Sequence, residues 1–158
     1  MREHGMDPGP YLDDVHDIDF SVLSPDPSLA RSIAKLPGRK VVYTNACAPY
    51  AEKVLAARGL AGLFDAIYGV EHADFHPKPD AQAFATVFAL DGLNPKAAAM
   101  FEDDQRNVAV PHALGMRTVH VAPDRRLLRA ARVLEEDPGT GARPCERGSR
   151  RARRRIPA

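Results

Sequence analysis

Thr44-Asn45, Lys78 and Glu102-Asp103 are the residues whose types and order in this chain suit chemistry. A hydroxyl and an amide, a lysine held between Pro77 and Pro79, and two adjacent carboxylates could serve phosphoryl transfer if they converged on one rim. Carboxylates hold Mg²⁺, which prefers octahedral oxygen ligands and shares them with phosphate. A lysine offsets charge on phosphoryl oxygens, and a threonine hydroxyl with nearby backbone N–H groups can hold them in place. Each piece alone has a plain structural explanation: a turn residue, a solvated loop, partners of a helix dipole. The order and placement of all three carry the signal.

Asp17 and Asp19 form a second candidate. They stand one residue apart before Ser21-Val22-Leu23, close to the D-x-D-x-T pattern in which one aspartate attacks phosphorus and its neighbour moves a proton. A nucleophile at the end of a central parallel strand needs an apolar run before it, because that strand is buried on both faces. Here the preceding residues are Tyr11, Leu12, Asp13, Asp14, Val15 and His16. Unpaired carboxylates at buried positions are costly. Pro10 suits a helix start instead, with Tyr11, Val15 and Ile18 at i, i+4 and i+7. Asp17 and Asp19 then read as solvated or helix-end residues, and act as nucleophile and acid/base only in a capless phosphatase. His72, Asp74 and His76 read as loop residues rather than a metal site, and His112 as a helix residue without chemistry.

The elements that must position these groups alternate. Asp26-Pro27 opens a helix with Leu29, Ile33 and Leu36 on one face, ended by Pro37-Gly38. Residues 40–45 read as a short buried strand, Pro49 to Gly59 as a helix, and 66–70 as a second strand. Asp80 caps a third helix, and 97–101 and 117–122 are two more strands flanking a short helix that ends at Gly115. Asp124 opens a last helix through about residue 136. Short strands separated by helices predict a Rossmann-like parallel α/β sheet with helices on both faces, where working residues lie just past the strands' carboxyl ends.

Composition sets the bounds. The chain has 158 residues, 44% hydrophobic and 27% charged, which suits one soluble domain. No apolar run reaches the roughly 20 residues of a membrane span, and Cys47 and Cys145 have no metal or redox spacing, so a cytoplasmic location is expected. Residues 142–158 carry seven Arg and one Glu, a net +6, which leaves the other 141 residues at −5 against a chain total of +1. That tail reads as disordered, and it is the one feature that would invite nucleic acid. The expected divisions are 1–24, 25–137 and 138–158.

The segments "VVYTNACAPYAEKVLAARGLAGLFDAIYG", "ADFHPKPD" and "AAMFEDDQRNVAVPHALGMRTVHV" resemble the second, third and fourth motifs of the haloacid-dehalogenase-like hydrolases. Within them the likeness is to the pyrimidine 5′-nucleotidase branch, and it runs from about residue 3 to 122. It implies that Thr44 and Asn45 bind a phosphoryl group, that Lys78 bridges phosphate and nucleophile, and that Glu102 and Asp103 help hold Mg²⁺. The substrate would be a small phosphorylated metabolite such as a nucleoside monophosphate. Ala46 stands where a Gly is usual, and Asp104 where a small hydroxyl residue is usual.

By the same resemblance, residues 1–24 are the remnant of a helical cap and 25–137 the core. The first central strand, with its D-x-D nucleophile, would lie upstream of Met1. The expectation is a chain inactive alone, with two open sheet edges that invite self-association or a strand-donating partner. A phosphate-binding remnant without catalysis is the alternative. A receiver-type signalling module is disfavoured, because there the acidic pair precedes the threonine and the lysine comes last.

Overall fold

The computed structural model describes residues 5 and 7–122. Helix α1 spans Pro8–Val15, and Asp7 caps it by accepting the Gly9 N–H at 3.0 Å. It therefore starts two residues before Pro10. It also stops at Val15, with His16 as its C-cap, so Ile18 lies beyond it. A 3-10 turn over Phe20–Val22 follows, and α2 spans Pro27–Ala34. The Asp26 carboxylate accepts the Leu29 N–H at 2.9 Å and pairs with Arg58 at 3.2 Å. Asp26→Ala is expected to lower stability by about 1 kcal/mol, mostly through the lost cap, as a urea midpoint would show.

Strands β1 (Val41–Tyr43) and β2 (Ala66–Tyr68) run parallel, with Val41 opposite Ala66 and Tyr43 opposite Tyr68. Between them α3 covers Ala48–Ala57, and α4 covers Ala81–Asp91. Strands β3 (Ala99–Glu102) and β4 (Arg117–His120) form a second parallel pair, with Glu102 opposite His120 and α5 (Ala109–Ala113) between them. All four strands are shorter than the sequence pattern suggests. Val70 gives its N–H to the Ala46 carbonyl and enters a 3-10 turn over Val70–Ala73, which cuts β2 short. An Asn94-capped 3-10 turn over Pro95–Ala97 delays β3.

Among the described residues the sheet is split, β1 with β2 and β3 with β4. Among the described residues neither β1 nor β3 has a strand partner on its other side. This is the gap expected where a central strand would stand, and the two halves do not close over it. Phe101 on β3 is 55% exposed, unusual for a large apolar residue of a parallel sheet.

Ala73, Ala83 and Val87 form one cluster of the buried core, with Tyr43 and Tyr68 packed against them. Phe84 is fully buried and meets the Tyr43 ring edge-on at 5.7 Å. Asp91 at the end of α4 accepts from Arg39 at 2.5 Å and from the Tyr68 hydroxyl at 2.9 Å, tying that helix to the strands. The expected helix after Asp124 and the Arg-rich tail lie outside the described residues. Among the described residues no helix is long and apolar enough to cross a membrane.

Candidate active site

Lys78 joins the two half-sheets at their carboxyl ends. Its Nζ donates to the Tyr43 carbonyl of β1 at 3.0 Å and to Glu102 Oε2 of β3 at 2.5 Å. The side chains of Lys78 and Glu102 are only 6% and 9% exposed. A buried charge needs its partner, so this pair fixes one end of each half-sheet relative to the other. An ammonium has three donors, and among the described residues two of those of Lys78 have oxygen acceptors. The same Nζ lies 5.0 Å from the centre of the Tyr43 ring. Burial, helped by the charge of Asp80, pushes the Tyr43 hydroxyl up to about 12, so that wall of the site stays neutral.

Asn45 holds the lysine in place. Its Oδ1 accepts the Lys78 N–H at 2.7 Å, and its Nδ2 donates to the Lys78 carbonyl at 3.0 Å. Each end of the amide thus makes one bond to the backbone of the Lys-Pro loop, which leaves one Nδ2 donor. Asn45→Ala is expected to cost about 1–2 kcal/mol and to free Lys78 from its register, read as a lower urea midpoint and faster exchange of the Lys78 amide. Thr44, just past β1, accepts the Ala46 N–H on Oγ1 at 3.1 Å. Among the described residues its hydroxyl proton has no acceptor, so it can donate to an anion.

Two residues that the sequence did not single out shape this loop. Gly69 sits so close that a Cβ there would lie 2.8 Å from the Ala46 carbonyl oxygen, and nearer still to the Ala48 nitrogen and Glu71 Oε2. Glu71 accepts the Ala48 N–H at 2.8 Å, capping α3 in place of Cys47, whose side chain makes no cap. Nothing local in the sequence announces either role; both depend on β2 passing the start of α3.

On β3, burial pushes the Glu102 carboxyl up, but Lys78, Asp103 and the Asp104 N–H together outweigh it and leave the group below the ordinary glutamate value. Asp103 is exposed, and its carbonyl accepts from His120 at 2.9 Å. Asp104 turns away: it caps the turn at Gln105–Val108 and pairs with Arg106 at 2.6 Å, which draws its carboxyl down to about 2. Asn107 is buried, with its side-chain oxygen unpartnered among the described residues.

Adjacent Glu102 and Asp103 supply the hard oxygens that Mg²⁺ takes. They fit as part of such a site. Among the described residues no three metal-ligating side chains cluster, so water, phosphate or further residues would complete the shell.

Asp17 and Asp19 stand at no strand end. Asp17 is exposed after α1, and both Asp19 oxygens accept from Ser21, at 2.8 Å each. His72 accepts the Gly69 N–H, His76 contacts Asp80, and His112 is exposed on α5.

Comparison with known proteins now decides the family. The model for haloacid dehalogenase-like hydrolases matches residues 29–121, more than half of the chain. The chain belongs to that family. Among solved structures, L-2-haloacid dehalogenase from Xanthobacter autotrophicus, with chloropropionic acid covalently bound, is similar at 26% identity and a TM-score of 0.58. The match covers 78% of this chain and 49% of that one. A second L-2-haloacid dehalogenase shares the fold at 22% identity and a TM-score of 0.53, covering 74% and 46%. A HAD-like hydrolase from Porphyromonas gingivalis does so at 21% and 0.52, covering 71% and 58%. The chain thus spans about half the length of the solved structures it matches. No curated protein matches it.

Proposed function

We propose that this HAD-like chain carries the phosphate- and metal-binding half of a phosphoric monoester hydrolase, of the pyrimidine 5′-nucleotidase type. The observation that supports it is Lys78, whose backbone is held by Asn45 and whose Nζ is bound both to Glu102 and to the Tyr43 carbonyl, next in sequence to Thr44. Thr44 and Lys78 would hold and neutralise the phosphoryl oxygens, and Asn45 would position Lys78. Mg²⁺, held by Glu102 and Asp103, would supply further charge neutralisation. The nucleophile would come from an aspartate-bearing strand seated between β1 and β3, which the described residues do not provide.

A second reading has its own support: the similar Xanthobacter enzyme holds chloropropionic acid covalently. The two readings separate in one assay of the full chain with p-nitrophenyl phosphate and Mg²⁺ beside L-2-chloropropionate. The proposal expects turnover of neither by this chain alone. Chloride release would move the chemistry to the carbon–halogen bond. Phosphate release abolished by Asp17→Asn would make Asp17 the nucleophile.

A further inference from the structure

Alongside the start of α3, residues of α1 and of the segment after it line a half-open cleft of about 350 Å³ that includes Asp14, His16, Asp17, Cys47, Tyr50 and Lys53. Cys47 is partly buried there, and its Sγ lies 3.1 Å from His16 Nδ1, a contact across 31 residues of chain. The imidazole is held flat on the Tyr50 ring, with centroids 4.2 Å apart and planes 24° apart. Phe20 supports Tyr50 from another side at 5.7 Å. The thiol makes no cap to α3, so its hydrogen-bonding capacity is directed to His16.

We propose that Cys47 and His16 form a reactive thiol–imidazole pair, a site of oxidation by peroxide. A base within hydrogen-bond reach of a partly open thiol is the arrangement that activates cysteine nucleophiles. His16 Nδ1 takes the thiol proton, and the sulfur attacks one peroxide oxygen. The S–O bond forms as the O–O bond breaks; sulfur is oxidised by two electrons to the sulfenic acid. The departing hydroxide takes the proton from His16 and leaves as water. Asp14 and Asp17 outnumber Lys53 on the wall, which favours a small uncharged oxidant over an anion.

The test uses the full chain carrying Cys145→Ser, treated with hydrogen peroxide and dimedone and followed by intact-mass spectrometry. Cys47 is expected to be trapped as its sulfenic acid at least about tenfold faster than glutathione under the same conditions. His16→Phe keeps a ring against Tyr50 but removes the base, and should cut the rate about tenfold with an unchanged circular dichroism spectrum. Trapping no faster than glutathione overturns the proposal, as does an unchanged rate in folded His16→Phe. Should that variant not fold, the comparison of the His16-bearing chain with glutathione decides alone.

Discussion

Replacing Lys78 with methionine is expected to destabilise the domain by about 3 kcal/mol or more at neutral pH, because it leaves Glu102 buried without its cation. Methionine nearly matches the lysine stem in volume, so the loss is electrostatic rather than a cavity. The Tyr43 carbonyl also loses its donor. The pH dependence separates this cause from simple misfit. In the parent chain the Glu102 carboxyl lies below its ordinary value, so its contribution is present above the unfolded carboxylate range and fades as pH falls through the folded value. In Lys78→Met, burial acts with far less opposition and raises the same carboxyl. Acid then relieves the penalty by protonating it. The difference between the two urea midpoints should therefore shrink between neutral pH and about pH 3.5, below the ordinary glutamate value. A difference independent of pH would assign the loss to packing.

Gly69→Ala is expected to cost about 2–3 kcal/mol, for a steric rather than a conformational reason. Gly69 has φ of −92°, which any residue adopts, so backbone strain has no part in it. The added methyl would meet the backbone of Ala46 and Ala48, and neither can swing away as a side-chain tip can. Relief requires moving β2 from the start of α3, and this displaces the Thr44–Cys47 segment. Phosphate affinity should fall along with the unfolding midpoint. A variant as stable as the parent would mean the loop has more freedom than its contacts indicate.

What the sequence made legible was what local chemistry writes. Asp26 with the Pro37-Gly38 stop placed α2, Asp80 placed the start of α4, and the order Thr44, Lys78, Glu102 suggested one rim. The open edges of β1 and β3 were also foreseen, from the resemblance rather than from periodicity. Contacts through space were not legible. The resemblance makes Asn45 a phosphate ligand, whereas its two amide bonds to the Lys78 backbone, 33 residues away, are written nowhere in the local sequence. The Gly69 contact and the pairing of Cys47 with His16 depend on how distant elements pass each other. The start of α1 was misplaced because two prolines compete, and Asp7 settles the choice by capping before Pro8.

The central claim is that Lys78 anchors a phosphate site whose acidic side suits Mg²⁺. The most direct measurement is ³¹P NMR of orthophosphate titrated with the full chain, with and without Mg²⁺, beside Lys78→Met at a urea-free pH where both are folded. The account predicts a saturable shift that strengthens with Mg²⁺ and is lost in Lys78→Met. A shift that persists unchanged in Lys78→Met, or no shift under any condition, would contradict it.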